Sequence, residues 1–326
     1  MSVLATNQHV GVSFTEADFV KPAIEILHKI AGSKENWIER PFVSNSNCFV
    51  VPPMRFATES CLVMEEVIKA GMPVLLLSAG QAGATAPASI AGTVAQAVSE
   101  ILAGLVYVNS IKPGHPCICG TWPFVSDLRT GAMSGGSGEQ GLLTACCAQI
   151  LKSFELPSGA AAGMADSKLP DAQSGYEKGS TAVMAGLSGL NLVYESVGMH
   201  ASLLGFCLES MIIDNDMLGQ CLRCVRGVEV NNKTLSFEAI KDVCIGGPGH
   251  YLGHEQTLSV MESEYVYPSI SDRSSPKEWN ENGRPELLDT AQIEVKNILD
   301  NFTPKHIPND LNSNIYQNHN IFFKVK

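Results

Sequence analysis

The chain has 326 residues, of which 45% are hydrophobic and only 17% charged, and its formal net charge is −11. This length and composition fit one large domain with a full core. An acidic chain without a clustered basic face lacks the footprint of a nucleic-acid-binding protein. No apolar run reaches the roughly 18 uninterrupted residues of a membrane span. We therefore expect neither nucleic acid nor membrane as a partner.

The first residues and the cysteines indicate where the protein is located. No basic segment followed by an apolar one opens the chain, so the sequence predicts no secretory signal. Most of the ten cysteines lie inside apolar runs, for example at Cys117, Cys146 and Cys207. Reduced thiols in a protein core are typical of the cytosol. The sequence therefore predicts a cytoplasmic protein.

Short apolar runs alternate with longer amphipathic segments along the chain. Seven runs are predicted strands: Ser2–Ala5, Cys48–Val51, Val74–Ser78, Pro116–Cys119, Ala160–Met164, Leu192–Glu195 and Met211–Asp214. Helices are predicted at Glu16–Ile30, Phe56–Ala70, Pro87–Val106, Ser137–Phe154, Gln173–Gly189 and from Met199 onward, with two more at Thr234–Val243 and Leu287–Phe302. Continuously apolar strands of this kind are typical of a parallel sheet that is covered on both faces.

This alternation predicts a parallel α/β domain. No GxGxxG motif follows the first run, and polar residues follow many of the strands, which favours a (β/α)8 TIM-type barrel over a doubly wound sheet. Seven strands are counted instead of eight, and the first opens the chain. We therefore predict a barrel domain over residues 1–302 that lacks its first strand and an N-terminal segment, followed by a tail over residues 303–326.

Polar side chains follow every predicted strand, where the catalytic groups of a barrel lie. The segment from Gly120 to Gln140 is much longer than an ordinary loop of about 2–6 residues, and it combines aromatic, acidic, basic and glycine residues. Its glycine-rich end either binds an anion or forms a tight turn. Asp166 to Lys168 either holds a catalytic lysine or is a solvated turn. Aromatic residues near strand ends either form a cage for a quaternary ammonium or are ordinary packing.

The sequence contains only weak candidates for a metal-binding site. His250 and His254 lack a nearby cysteine or carboxylate triplet, and Cys221 and Cys224 have no second pair. Asp214 and Asp216 are the ligand type that a metal prefers, but a carboxylate that caps a helix is more common. No metal site is predicted.

Several motifs resemble those of the trimethylamine methyltransferase family. They are WPFVSDLRTG at 122–131, SGGSGEQ at 134–140, GMADSK at 163–168, PDAQ at 170–173, YES at 194–196 and GHYLGH at 249–254. The resemblance runs from the first predicted strand to about Phe302. It implies a (β/α) barrel that passes a methyl group from a methylated amine to the cobalt of a corrinoid carried by a separate protein, so that the chain itself binds no cofactor directly.

The founding members of that family carry pyrrolysine, whereas a larger branch lacks it and acts on quaternary amines such as glycine betaine. Every position here is a standard residue, so the resemblance is to the larger branch. Family members also have a substantial segment before the first strand predicted here, so the resemblance implies a gene fragment or an alternative start, which puts barrel closure and activity in question.

The resemblance and the strand ends together give the candidate site residues. The predicted catalytic residues are Asp127, Asp166 and Lys168. The predicted substrate-binding residues are Trp122, Phe124, Tyr194, Glu195, Gln81, His9 and Tyr251. The predicted partners are a small methylated amine and a corrinoid-binding protein, with a homo-oligomer left open. The alternatives are a barrel lyase or hydrolase that uses Lys168 or Asp127, and a non-catalytic product of a truncated gene.

Overall fold

The computed structural model describes residue 3, residues 6–302 and residues 307–318. Six strands form one curled parallel sheet, and they are β1 Val10–Val12, β2 Val43–Asn47, β3 Val74–Ser78, β4 Cys117–Thr121, β5 Ser158–Ala161 and β6 Leu192–Tyr194. Their order in the sheet is their order in the sequence, and every neighbouring pair is parallel. A doubly wound sheet reverses its strand order at a switch point. The described sheet has no such reversal, so it is compatible with part of a TIM-type barrel.

Helices connect each strand to the next along the outside of this sheet. They are α1 Val20–Ala31 and α2 Lys34–Glu39 before β2, α3 Thr58–Lys69, α4 Ile90–Ile111, α5 Gly138–Ser153, α6 Ala172–Leu187, and α7 Leu208–Arg226 after β6. Side chains cap three of them. Ser33 accepts a hydrogen bond from Asn36 N at the start of α2, Ser137 accepts one from Gln140 N at the start of α5, and Asp171 accepts one from Ser174 N at the start of α6.

Five further helices follow, at α8 Phe237–Cys244, α9 Glu255–Glu264, α10 Pro276–Glu281, α11 Leu287–Asn301 and α12 Asn309–Asn318. Helix α11 packs against α7, and α12 contacts α1. Ile315 of α12 is buried. The C-terminal helices thus extend the outer layer of the fold.

The main core lies between the sheet and the helices. Its fully buried side chains include Trp37, Met64, Leu76, Ile101 and Leu143. Each large apolar side chain buried in this way contributes roughly 1.5–3 kcal/mol. The core therefore holds the strands at fixed positions, and their carboxyl ends carry the candidate site.

Helix α4 is long and apolar enough to cross a membrane by length and composition. In this structure it packs against β3, β4 and α5. Its buried Glu100 accepts hydrogen bonds from Met54 N at 2.8 Å and from the Ser78 hydroxyl. Helix α4 therefore serves as a core helix of this domain.

The structure corrects three predicted elements. The predicted strand Met211–Asp214 lies inside α7, where buried side chains recur on one helical face at Ser210, Asp214 and Cys221. The helix predicted from Met199 onward is instead a short antiparallel hairpin of Met199–His200 and Gly205–Phe206. The predicted strand Cys48–Val51 is confirmed only at Val50–Val51, which pairs antiparallel with Arg55–Phe56 outside the main sheet. The second strand of the main sheet is β2, which the sequence did not predict because it is polar after Val43.

The predicted strand Ser2–Ala5 lies outside the described residues, apart from Val3. The first strand that the structure describes is β1. Strand β3 was predicted with its observed bounds, and β4, β5 and β6 are confirmed with slightly displaced ends. Helices α1 and α3 to α6 are also confirmed, as are α8 and α11.

Candidate active site

The long loop after β4 folds into a small sheet at the carboxyl end of the main sheet. Phe124–Ser126 pairs with Gln81–Ala82, which follows β3, and with Met133–Ser134. The backbone hydrogen bonds between β3 and β4 continue into this small sheet, since Trp122 N donates to Ser78 O and Phe124 N donates to Gly80 O. Two strand-end loops are thereby joined into one ordered wall.

Three of the predicted substrate-binding residues form an aromatic cluster on this wall. The ring centroids of Trp122 and Phe124 lie 5.3 Å apart. Those of Trp122 and Tyr194 lie 5.8 Å apart in an edge-to-face arrangement. Met164 and Ala161 are buried beneath them. The cluster therefore brings the end of β6 against the loop after β4, as the sequence predicted.

Two polar atoms inside this cluster have no hydrogen-bond partner in the part of the chain that the structure describes. They are the indole Nε1 of Trp122 and the hydroxyl of Tyr194, and both are buried. Burial, with smaller effects of Cys48 and Glu195, raises the pKa of Tyr194 well above its ordinary range, so the phenol keeps its proton. Buried polar groups are normally paired. Two unpaired donors on one wall are available to an acceptor from outside the chain.

Glu195 follows Tyr194 directly and is half-buried. Burial raises the pKa of its carboxyl group. Among the described residues the carboxylate makes no hydrogen bond and no ion pair, and its backbone has a positive φ of 61°, a conformation that is uncommon for residues other than glycine. A buried carboxylate without a partner is costly, so Glu195 is available for a cation from outside.

Gln81 lies on the same wall. It is in register with Phe124 in a parallel pair, so both side chains lie on the same face of the small sheet. Gln81 is half-buried, and its side-chain amide makes no hydrogen bond with a described residue. It can therefore contact a ligand at the aromatic cluster.

Asp166, a predicted catalytic residue, is occupied by protein partners. Its carboxylate accepts hydrogen bonds from the Ser134 hydroxyl, from Gly135 N at 2.8 Å, from Gly136 N at 3.3 Å and from the Ser202 hydroxyl at 2.6 Å. These groups come from the glycine-rich turn before α5 and from the hairpin after β6. The geometry makes Asp166 an anchor that joins two loops.

Asp127 is also paired. Arg129 contacts it through two side-chain nitrogens, Nη2 at 2.6 Å and Nε at 3.1 Å, and through its backbone N at 2.9 Å. The Arg129 side chain and backbone hydrogen bonds lower the pKa of Asp127 to about 2. Such a carboxylate stays ionised near neutral pH and is poorly suited to proton transfer.

Lys168 is exposed, and its Nζ donates to the backbone oxygen of Asp166 at 2.8 Å. It lines an open cavity of about 730 Å³ together with Asp127, Arg129, Asp166 and Ser202. The three predicted catalytic residues therefore share one cavity at the carboxyl face. The aromatic cluster and Glu195 are not among the residues that line this cavity.

His9 does not lie with the other candidates. It comes directly before β1, so it stands at the amino end of the sheet, where its Nε2 lies 3.0 Å from the Ser44 hydroxyl. A cavity of about 760 Å³ at this end is lined by its neighbours Asn7 and Gln8. The sequence placed His9 after a predicted strand, at the carboxyl face. In the structure His9 precedes β1 and therefore lies at the opposite face.

Tyr251 also lies apart from the cluster. It is in the loop between α8 and α9 and is 40% exposed. Its hydroxyl lies 3.8 Å from the Cys244 sulfur, and its backbone oxygen accepts from the Thr257 hydroxyl. The structure gives it no contact with Trp122 or Tyr194.

Sequence analysis missed the residues that come from the hairpin after β6. Ser202 holds Asp166, and Met199 and Leu203 pack against the aromatic cluster. Ala201, Ser202 and Leu203 all have positive φ angles, which none of these residue types signals in a sequence. Among the described residues, no group of three or more His, Cys, Asp or Glu is placed to hold a metal ion.

Comparisons with known proteins agree with the motifs. The family model described as trimethylamine methyltransferase (MTTB) matches residues 1–319. The chain is 30% identical over 303 residues to trimethylamine methyltransferase MttB of Desulfitobacterium hafniense strain DSM 10664 / DCB-2, covering 93% of this chain and 60% of that protein. It is 31% identical over 294 residues to glycine betaine methyltransferase of Desulfitobacterium hafniense strain Y51, covering 90% and 60%.

Trimethylamine methyltransferase MttB of Methanosarcina thermophila is 31% identical over 283 residues, which cover 86% of this chain and 57% of that protein. The chain thus spans about 60% of the length of the curated relatives it matches. By its motifs, its family match and its relatives, the chain belongs to the trimethylamine methyltransferase family.

Proposed function

We propose that this chain transfers a methyl group from a small quaternary amine to the cobalt of a corrinoid carried by a separate protein. The observation that carries the proposal is the unpaired, half-buried carboxylate of Glu195, the residue that follows Tyr194 of the aromatic pair Trp122 and Tyr194 and interacts with it electrostatically. Aromatic faces and a carboxylate are the groups that attract a quaternary ammonium. The names of the relatives include both trimethylamine and glycine betaine methyltransferases.

Demethylation of a quaternary amine asks little of the protein in acid–base chemistry. The nitrogen already carries the positive charge that makes it a leaving group, so no side chain has to protonate it. The enzyme contributes mainly by positioning and desolvating the methyl group. This fits a carboxyl face on which the carboxylates of Asp127 and Asp166 are engaged with protein partners. When bound, the corrinoid supplies the nucleophilic cobalt.

The two unpaired donors favour a quaternary amine that also carries a carboxylate. Trp122 Nε1 and the Tyr194 hydroxyl are buried and need an acceptor. A carboxylate on the ligand would supply it, as in a betaine, whereas trimethylamine has no oxygen. This observation supports glycine betaine or a related compound over trimethylamine.

A separate corrinoid protein needs a surface on which to dock. Three leucines stand exposed on the loops after β4, β5 and β6, with exposed fractions of 71% for Leu128, 64% for Leu169 and 90% for Leu204. Exposed apolar side chains mark a protein contact where they form one patch. We propose docking at the carboxyl face because the open cavity lies there, with the three leucines as candidates for that patch. We also propose that the six strands belong to a (β/α)8 barrel and that the protein is cytoplasmic, where its ten free cysteines stay reduced.

A lyase or hydrolase that uses Lys168 or Asp127 is less well supported. A nucleophilic lysine is activated by desolvation, and Lys168 is exposed. Asp127 is held by Arg129. The non-catalytic alternative is tested by activity itself.

The test is a methyl-transfer assay with a reduced corrinoid protein and either glycine betaine or trimethylamine. The visible spectrum of the corrinoid should change with glycine betaine and stay constant with trimethylamine. Release of dimethylglycine confirms the donor. Turnover of trimethylamine, or turnover without any corrinoid, would contradict the proposal.

A further inference from the structure

The turn from Glu195 to Gly198 is held at both of its ends. At the β6 end, the backbone oxygen of Tyr194 accepts a hydrogen bond from Ala162 N at 3.2 Å. At the other end, Gly198 N donates to Asp214 Oδ2 at 2.8 Å, and Gly198 O accepts from Cys207 N at 3.0 Å. Glu195 is therefore the first residue of a short segment between two fixed points.

The turn also packs tightly on the chain below it. A Cβ atom on Gly163 would lie 3.0 Å from the backbone oxygen and 3.2 Å from the Cα of Ser196. Only glycine permits this approach. With its ends fixed and its backbone pressed on Gly163, the turn holds Glu195 in the left-handed region at a φ of 61°.

Asp214 lies deep in the outer layer, on α7, and is only 4% exposed. Its Oδ2 lies 2.6 Å from Nζ of Lys178 on α6, which is 1% exposed. Burial raises the pKa of Asp214, and the hydrogen bond and charge of Lys178 oppose that rise. A buried ion pair is weak evidence for a stabilising role, because desolvation offsets the attraction. The same Asp214 oxygen, however, holds Gly198.

We propose that Asp214 is a positioning residue: its hydrogen bond to Gly198 N holds the turn that points Glu195 at the ligand, while Lys178 neutralises the buried charge. This inference rests on the proposed function, in which Glu195 faces the cation of the substrate. Asp214 itself touches no ligand and acts through the backbone of the turn, at Gly198 N.

A matched pair of double variants separates this role from simple stabilisation. Both carry Lys178→Met, and they differ in Asp214→Asn or Asp214→Leu. Both are uncharged at these positions and have side chains of similar size, but only Asn keeps an acceptor for Gly198 N. If the Leu variant does not fold, Lys178→Met with Asp214→Ala takes its place. Circular dichroism and thermal melting confirm that the compared variants are folded.

Two measurements are made on each variant. The first is calorimetric affinity for glycine betaine and for its isostere 3,3-dimethylbutanoate, which keeps the carboxylate but has an uncharged carbon in place of the ammonium nitrogen. The Asn variant should bind glycine betaine within threefold of the wild type. The Leu variant should lose at least tenfold in affinity for glycine betaine and less than twofold for the isostere.

The second measurement needs no ligand. It follows the titration of the Glu195 carboxyl by carbon-13 NMR, with the signal assigned by its loss in Glu195→Gln. The raised pKa should persist in the Asn variant and return towards the ordinary range in the Leu variant. Equal titration in both variants, or equal loss of both ligands, would overturn the inference. If the wild type binds no quaternary amine, the proposed function fails, and the titration still decides the role of Asp214.

Discussion

At the scale of single residues, hydrogen bonding distinguishes the three candidate carboxylates. Asp127 is paired with Arg129, and Asp166 accepts four hydrogen bonds from two loops. The Glu195 carboxylate has no hydrogen-bond or ion-pair partner among the described residues, and burial raises its pKa. The group left without a protein partner is the one with capacity for a ligand.

The raised pKa of Glu195 predicts a pH-dependent effect of Glu195→Gln on stability. A carboxyl group whose pKa is higher in the folded than in the unfolded state stabilises the fold below its unfolded pKa, and this contribution is lost as pH rises through the folded pKa. Without ligand, Glu195→Gln should therefore raise the free energy of unfolding at pH 7 relative to the wild type. The difference should shrink as pH falls towards the ordinary glutamate pKa of about 4.3. Urea unfolding of both proteins across this range measures it, and a constant difference would count against the assignment.

The unpaired indole of Trp122 predicts which ligands a Trp122→Phe variant loses. Phenylalanine keeps an aromatic face but has no N–H. Affinity for glycine betaine should fall about tenfold, because a hydrogen bond to a charged group contributes roughly 1.5–3 kcal/mol. Affinity for tetramethylammonium, which has no acceptor, should change much less. Calorimetry with both ligands tests this, and an equal loss would argue for packing alone.

At the scale of elements, the site depends on loops that are tied together by side chains. Asp166 follows β5 and joins the glycine-rich turn before α5 to the hairpin after β6 through Ser134 and Ser202. That hairpin contains Ala201, Ser202 and Leu203 with positive φ angles. Such a backbone persists only when its surroundings determine it, and Asp166 is one such determinant.

Asp166→Ala should therefore destabilise the protein by at least about 2 kcal/mol, because each donor left without an acceptor costs roughly 1–3 kcal/mol. Asp166→Asn, which keeps an acceptor oxygen, should cost less. Arg129→Ala is the control, since it removes only an ion pair on an exposed side chain. Chemical denaturation ranks the three variants. An Asp166→Ala protein as stable as the wild type would show that the anchor is unimportant.

At the scale of the molecule, six parallel strands in sequence order are backed by a helical layer. Leu76 is fully buried at the middle of this sheet, whereas Leu204 is 90% exposed on the hairpin. The same residue type thus occupies the core in one place and the proposed docking face in the other.

Leu76→Ala should cost about 2–5 kcal/mol of stability through lost burial and a cavity. Leu204→Ala should change stability by less than about 0.5 kcal/mol, as surface substitutions usually do. Urea unfolding measures both effects. Similar effects from the two changes would contradict the described core.

Sequence patterns predicted the elements best where burial was strongest. Strand β3 is continuously buried and was predicted with its observed bounds, whereas β2 is polar at every position after Val43 and was missed. The run Met211–Asp214 looked like a strand because three apolar residues stand together, but tertiary packing keeps it in α7. Local patterns also could not reveal the hairpin after β6.

The candidate site residues could be predicted in part for a similar reason. Trp122, Phe124, Tyr194 and Glu195 lie in motifs at strand ends, so the sequence could name them as candidates. His9 was placed at the wrong end of the sheet because the apolar run did not reveal that the strand begins after His9, at Val10. Ser202 and Asp214 act through contacts 36 and 16 residues away along the chain, and no local pattern indicates such contacts.

Calorimetric binding of glycine betaine and 3,3-dimethylbutanoate to the wild type and to Glu195→Gln tests most directly whether Glu195 pairs with the cation of the substrate. If Glu195 pairs with the cation, the substitution should lower affinity for glycine betaine about tenfold or more. The attraction between two unit charges about 4 Å apart near a protein surface is on the order of 4 kcal/mol, and about 1.4 kcal/mol corresponds to a tenfold change in affinity. Affinity for 3,3-dimethylbutanoate, an anion without the ammonium group, should not fall. An equal loss for both ligands, or no loss for either, would contradict the assignment of Glu195 as the partner of a quaternary ammonium.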